Sequence, residues 1–263
     1  LKRGKRIAVA SNSHKAIHNL LASVEKVAEE TGFAFRGAKK SNGDDPDSQF
    51  RGKFVRDVFS PGEVQAEDQL VAGTAWLFAR ADFDQAFDQI FVDEAGQVAL
   101  ANLAAMGTCA RNLVLLGDPM QLGQPTQGTH PGHSGESGLE YLLEGRATVP
   151  TERGVFLPTT YRMAPALCRF ISDAVYDGRL EAESNNANQK LALGATADPA
   201  LAEAGIRFVP VDHQGNAQQS AEEAGRVACL IESLLKQDFV DRDGVRRRIT
   251  LEDILVVAPY NLQ

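Results

Sequence analysis

Two short apolar runs, each stopping abruptly on a polar cluster, constrain this chain most. Gln89-Ile-Phe-Val92 runs into Asp93-Glu94-Ala-Gly-Gln97, and Leu113-Val-Leu-Leu116 runs into Gly117-Asp118-Pro-Met-Gln121-Leu. Four residues are too few for a helix, and uniform apolarity marks strands buried on both faces, as in a parallel sheet. Parallel neighbours need a crossover between them, and the small-residue stretch Val98–Ala110 is predicted to be its helix. In open α/β sheets ligands bind outside the carboxyl ends of the strands, which is where both polar clusters fall.

The rest of the chain alternates strand-like and helix-like segments, the pattern of a mostly parallel sheet covered on both faces. Further strands are predicted at Arg6–Ala10, Phe33–Phe35, Phe54–Phe59 and Leu70–Trp76, with Lys39–Gln49 as a polar loop. A helix is expected from about Ser13 to a stop at Gly32, with Ile17, Leu20, Leu21, Val24 and Val27 on one face. Gly123–Ser137, rich in Gly, Pro, His and Ser, reads as a loop, and Glu140–Leu143 as a brief helical patch. A composition shift between Glu144 and Arg153 marks the expected boundary of two domains, 1–148 and 149–263. In the second, strands are predicted at Val155–Leu157, Ile206–Val211 and Ile254–Ala258. Helices are predicted at Pro165–Tyr176, with Leu167, Phe170, Ile171, Ala174 and Val175 inward, and at Ala221–Leu235. Asp177–Gly205 reads as irregular surface structure.

Composition narrows the class. With 43% apolar and 24% charged residues the 263-residue chain fits a soluble globular protein. No window of about 18 apolar residues exists to span a membrane. The basic start Leu1–Arg6 is followed by only Ile7–Ala10, too short an apolar run for a signal peptide. Cys109, Cys168 and Cys229 are far apart and form no Cys-x-x-Cys, which argues against a zinc site or disulfide framework and for a reducing cytoplasm. The net charge of -8 excludes a generally basic nucleic-acid-coating protein but not a strand held in one local groove.

An Asp-Glu pair after a strand can be a solvated turn. A glycosidase pair would need carboxylates about 5–10 Å apart across a substrate, and adjacent strand residues point to opposite faces. Phosphoryl transfer uses such a pair differently: Asp93 would hold a Mg²⁺-bound water and Glu94 orient the attacking water. A Gly-Asp-Pro turn is by itself a common structural device. Paired with the acidic strand, it places the Gln121 amide where it can bond a phosphate oxygen or the attacking water. In Tyr161-Arg162-Met163, tyrosine offers a flat face for a base and arginine a planar cation for a phosphate; an ion-paired arginine at a helix entrance is the plainer alternative. His130 and His133 are too few for structural zinc. His14 and His18, at i, i+4, lack the intervening Glu of a metalloprotease and are expected on a polar helix face.

Taken in order, Val-Asp93-Glu94-Ala-Gly-Gln97, Gly-Asp118-Pro-Met-Gln121-Leu and Thr-Tyr161-Arg162-Met-Ala-Pro165 resemble the motifs of superfamily 1B helicases. That group includes the RNA helicase of nonsense-mediated decay and bacterial helicase–nuclease fusions. Ala10-Ser11-Asn12-Ser-His-Lys-Ala-Ile is similar to the family's first strand-contacting motif, Val71-Ala-Gly-Thr74-Ala more loosely to its second, and Val256-Val-Ala-Pro259-Tyr260 to a late strand and turn. The resemblance implies two RecA-like P-loop NTPase domains and an ATP- and Mg²⁺-dependent motor on single-stranded DNA or RNA. By it, Glu94, Gln121 and Arg162 are catalytic, and Asp93 (the Mg²⁺ carboxylate), Gly117, Asp118 and Tyr161 line the nucleotide. Ser11, Asn12, Thr74, Pro259 and Tyr260 would contact the nucleic acid. Two departures follow. The position after Met163, often His in the family, is Ala164, and the phosphate loop Gly-x-x-x-x-Gly-Lys-Ser/Thr is absent from these residues. Arg3-Gly4-Lys5-Arg6 and Arg51-Gly52-Lys53-Phe54 have neither its spacing nor its hydroxyl. The late glycine-rich segment and second arginine finger are missing as well. The expectation is an internal fragment with both domains incomplete, inactive alone, whose parent works in the cytoplasm without a membrane and with a nuclease domain possible elsewhere. The alternative is a nucleic-acid-binding or interaction module with a defunct motor.

Overall fold

The computed structural model describes residues 1–123, 128 and 130–263. It divides into two compact units, Leu1–Val149 and Pro150–Gln263.

The first unit is built on a six-stranded parallel sheet. In chain order its strands are β1 (Ile7–Ala10), β2 (Gly37–Lys40), β3 (Val55–Val58), β4 (Leu70–Gly73), β5 (Gln89–Val92) and β6 (Leu113–Leu115), arranged β3-β2-β4-β1-β5-β6. Alternation along the central strands sends side chains to two cores. Ile7 and Val9 of β1 meet Leu70 and Ala72 of β4 beneath helix α1 (His14–Glu30), which buries Ile17 and Leu21 there. Each such burial contributes about 1.5–3 kcal/mol. On the other face Ala8, Val71, Ile90 and Val92 pack against α2 (Ala75–Phe78) and α3 (Leu100–Gly107). There Phe78 meets Phe87 edge-on at 5.7 Å, and Phe83 stacks on Phe87 at 5.9 Å. Helix α1 starts where Ser13 accepts the Ala16 amide and stops at Gly32, whose φ of +62° takes the chain out of the helix. Val27, expected to face inward, is instead 55% exposed, on the shoulder of a stripe that Ala28 completes. A short helix, α4 (Gly138–Leu143), closes the unit.

At the amino ends of the strands the buried Asp68 carboxylate takes Arg36 at 3.0 Å and Arg56 at 2.9 Å. With the Gln65 amide also bonded to it, this carboxylate ties together the lower edge of the sheet.

The predicted strand Phe33–Phe35 is not one. The Phe33 amide closes the helix end on the Ala28 carbonyl, and the two rings pack as a linker with Phe35 5.3 Å from Phe54. The strand there is β2, which the two lysines made to read as loop.

The second unit contains a parallel pair, β7 (Thr159–Thr160) with β8 (Glu181–Ala182), and an antiparallel sheet of β9 (Lys190–Ala192), β10 (Asp238–Val240) and β11 (Arg246–Arg248) in the order β11-β10-β9. Helices α5 (Pro165–Val175) and α6 (Ala221–Leu234) complete it. The predicted strands at 155–157, 206–211 and 254–258 carry no ladder. They pair with no strand among the described residues, and Val155, Phe208 and Leu255 are each more than 80% exposed. Segment 177–205, expected to be irregular, supplies β8 and β9. Helix α5 buries Cys168 and Ser172, while Phe170 faces out. That face wins because the Ser172 hydroxyl accepts the Leu180 amide and the Cys168 thiol donates to the Leu180 carbonyl at the entrance to β8.

Among the described residues no helix is long and apolar enough to cross a membrane. Cys109 lies in the first core, where burial pushes its thiol up to about 12, so it packs as an apolar group.

Candidate functional site

Parallel registers bring the carboxyl ends of the central strands to one level. Ala10 of β1 is opposite Gly73 of β4 and Val92 of β5, and Val92 is opposite Leu115 of β6. The next residues, Thr74, Ser11, Asp93 and Leu116, therefore form a row about 15 Å long, at roughly 4.8 Å per strand. Three of the four are residues that the sequence placed in the site.

The turns after β5 and β6 interlock. Glu94 adopts a left-handed conformation, φ +54°, unusual for a residue with a side chain. It opens a 3₁₀ turn, Ala95–Gln97, whose Ala95 amide donates to the Leu116 carbonyl at 2.9 Å. Gly96 permits the approach, since a Cβ there would lie 2.2 Å from the Asp118 carbonyl oxygen. Gly117 returns the favour, for its Cβ would lie 2.7 Å from the Ala95 nitrogen. Asp93 accepts the Glu94 amide through Oδ1 at 3.1 Å, and both carboxylates are half-buried. Asp118 caps its own turn by accepting the Met120 amide at 2.9 Å and the Gln121 side-chain amide at 3.3 Å. Gln121 is exposed and held through Asp118, close to the acidic turn. Gln124, Pro125, Thr126, Gln127 and Thr129, within the predicted loop Gly123–Ser137, lie outside the described residues.

The strand-contacting segment is tied to this pair of turns. Asn12 donates from Nδ2 to the Gln97 carbonyl at 2.8 Å. Ser11 is buried, 2% exposed, and its hydroxyl accepts the Ser13 amide at 3.4 Å. Thr74 is half-buried and makes no capping bond to α2.

Sequence reasoning missed a buried cation beside this edge. Lys39 of β2 has no exposed surface, and its ammonium donates to the Ser41 hydroxyl at 3.0 Å and to the Ser48 carbonyl, with His14 Nδ1 at 3.4 Å. Burial lowers its pKa from 10.5 to about 8. The His14 ring is lowered too, by burial first and by Lys39 next. His14 and His18 are thus half-buried, with His18 Nε2 3.3 Å from the Ser48 carbonyl, rather than on a polar face. Burial pushes Asp57 up, but the Ser41 hydroxyl and the Phe50 and Arg51 amides outweigh it and hold the carboxylate below the usual range. Together these bonds fold 41–51 into a fixed loop. Two adjacent lysines read as a polar loop and gave no sequence signal of this.

In the second unit, Tyr161 and Arg162 occupy an exposed turn between β7 and α5. Asn186, fully buried, donates to the carbonyls of Thr160 at 3.0 Å and Met163 at 3.1 Å and so brackets that turn. The Arg242 guanidinium lies 5.9 Å from the Tyr161 ring centroid. Pro259 and Tyr260 are exposed, in a bend whose end is fixed where the Gln263 side chain pairs with the Ser220 backbone.

Two family models, each described as an AAA domain, match residues 39–127 and 135–263. They cover the interlocked turns and the Tyr161–Arg162 turn respectively. The chain is a superfamily-1-like, AAA-domain protein. Its two α/β units are consistent with tandem RecA-like P-loop NTPase folds. DNA-binding protein SMUBP-2 of Mesocricetus auratus is 33% identical over 67% of this chain and 18% of its own length. The DNA replication ATP-dependent helicase/nuclease JHS1 of Arabidopsis thaliana is 25% identical over 100% of this chain and 20% of its own. The 5'-3' DNA helicase ZGRF1 of Mus musculus is 35% identical over 37% and 5%. This AAA-domain chain thus spans a fifth or less of each of these relatives.

Kinship to AAA domains implies nucleotide binding in general. The donors fit the metal that would accompany a nucleotide. Asp93 Oδ2 makes no hydrogen bond among the described residues, and hard carboxylate oxygens suit Mg²⁺, which takes one or two of them beside phosphate oxygens and water. The phosphate-cradling part of such a site is supplied by no Gly-x-x-x-x-Gly-Lys-Ser/Thr within these 263 residues.

Proposed function

We infer that the full-length protein is an ATP- and Mg²⁺-dependent superfamily 1B translocase or helicase on single-stranded nucleic acid, and that this chain carries part of its motor. The observation that carries this reading is the bond from Asn12 to the Gln97 carbonyl, because it ties the segment expected to hold the strand to the turn that follows Asp93 and Glu94. A nucleotide-dependent change at the acidic turn then has a direct path to the strand contact.

Bound Mg²⁺–ATP would supply the phosphoanhydride to be cleaved. Asp93 would hold the metal through its unengaged oxygen. Glu94, directed off the strand by its left-handed backbone, would orient the attacking water and take its proton. The Gln121 amide would exchange its bond to Asp118 for one to a phosphate oxygen, and Gly117 and Asp118 would shape that wall. From the second unit, Tyr161 would stack on the base and Arg162 would stabilise charge on the transferred phosphoryl group. Ser11, Asn12, Thr74, Pro259 and Tyr260 would contact the strand, mostly at its backbone, without reading sequence. The domains would be 1–148, a RecA-like domain with no phosphate loop among these residues, and 149–263, belonging to a second. The two free buried thiols, Cys109 and Cys168, suit a cytoplasmic setting.

ATP hydrolysis by the full-length protein, with and without single-stranded DNA or RNA, tests this. Turnover stimulated by one strand type and reduced at least about 100-fold by Glu94→Gln, with nucleotide binding kept, is expected. Strand binding without turnover under any condition would instead support a binding module with a defunct motor.

A further inference from the structure

The sole tryptophan of the chain stands where tryptophan is seldom left. Trp76 is 82% exposed, while Ala75, Leu77 and Phe78 around it in α2 are buried. Those three anchor the short helix to the first core, so the indole is held outward on a rigid element. Among the described residues it has no ring, cation or hydrogen-bond partner. Leaving so large an aromatic in water forgoes about 2–3 kcal/mol of burial.

Its surroundings favour one occupant. Trp76 lies two residues beyond Thr74, on the carboxyl edge shared with Ser11 and Asn12. On the other side of β4 lies β2, and a Cβ placed on Gly73 would come 3.5 Å from Cβ of Lys40, an alkyl stem carrying a cation. The residues that share its sheet edge bring hydroxyls (Ser11, Thr74), an amide (Asn12) and the Lys40 ammonium, which donates to the Ser41 carbonyl at 2.8 Å. They suit a sugar–phosphate backbone better than a protein hot spot, which needs a contiguous apolar patch. Phe59, 49% exposed after β3, lies two strands further along the edge, about 10 Å from β4.

We propose that Trp76 is a base-stacking platform, on which one base of the single strand lies while Thr74, Asn12 and Lys40 hold the backbone beside it. This rests on the nucleic-acid reading above and adds a residue and a contact that it does not contain. An aromatic face accepts any base, so the contact adds affinity and phase without sequence preference.

Because Trp76 is the only tryptophan, its fluorescence reports on the contact directly. The 263-residue chain is titrated with fluorescein-labelled oligo(dT) and oligo(U), following anisotropy for binding and, with unlabelled strands, indole emission for stacking. Saturable quenching is expected. Trp76→Ala should weaken binding roughly 10-fold and Trp76→Phe by no more than about threefold. An oligomer of abasic sugar–phosphate should bind wild type and Trp76→Ala alike, without quenching. Circular dichroism melts establish that both variants fold. Binding by anisotropy with emission unchanged and Trp76→Ala equal to wild type would overturn the platform and leave the nucleic-acid reading standing. The platform would likewise fall, in favour of a protein contact, if Trp76→Ala altered only self-association. Absence of binding to either strand would overturn both.

Discussion

Lys39 carries a charge into a position with no contact with bulk water, where burial outweighs the opposing pull of Asp57 on the paired strand. Its pKa is lowered to about 8 in the folded chain against 10.5 for an ordinary lysine. Between those values the unfolded chain binds the proton and the folded chain does not, so this group makes stability rise with pH across that window. The gain is complete above 10.5 and absent below 8, and the gap corresponds to about 3 kcal/mol. We expect a Lys39 Nζ or Cε resonance that titrates near pH 8, and a Lys39→Met chain whose unfolding free energy loses this dependence on pH. A midpoint near 10.5 would show that the amine is solvated and that the loop 41–51 is held by other means. None of this was legible in the sequence, where Lys39 and Lys40 read as surface. Asp93, Glu94 and Gly117 were legible because strand ends of a parallel sheet are marked by where apolar runs stop. Asn186 was invisible for the opposite reason: an asparagine among asparagines in 184–188 gives no hint that it is buried.

At the scale of elements, the turn holding Tyr161 and Arg162 depends on a segment more than twenty residues away. Asn186 bonds the carbonyls on both sides of it, and Asn186→Ala takes this donor from the Met163 carbonyl while the Thr160 carbonyl keeps the Glu183 amide. A loss of about 1–3 kcal/mol is expected. It should appear as faster hydrogen exchange of the amides of residues 160–163 than of α6. Unchanged exchange at that turn would mean that the proline-led first turn of α5 alone fixes it. The elements of the first unit were largely readable, since α1 has a serine cap and a glycine stop, and β1, β4, β5 and β6 follow their apolar runs. The exception, Phe33–Phe35, shows how two rings on one side of extended chain imitate a strand when the backbone bonds go to a helix end instead. In the second unit three apolar runs were read as strands from periodicity alone. A strand also needs a partner to accept its hydrogen bonds, which no local pattern specifies.

For the whole molecule the contrast lies between the two cores. The first unit buries apolar side chains on both faces of a six-stranded sheet, whereas in the second only Cys168 and Ile249 are buried apolar groups among the described residues. Stability should be distributed accordingly. Native-state hydrogen exchange is expected to protect amides of β1, β4 and β5 at least roughly 100-fold more than those of α5 and α6, a difference of about 3 kcal/mol. Equal protection would indicate that the second unit draws stability from surfaces outside its own core.

The two margins of the large sheet also differ in how sociable they are. β3 carries Arg56 and Asp57, and charge at an edge discourages further pairing. β6, Leu113-Val-Leu115, has no charge, and Leu113 is 42% exposed on a row of backbone groups that, among the described residues, is bonded on one side only. Such an edge is a template for one more strand. In a test tube the nearest candidate is another molecule of the same chain, so colloidal behaviour at high concentration is set at that three-residue margin, and a lysine at position 113 is the smallest change that would make the chain easier to keep in solution.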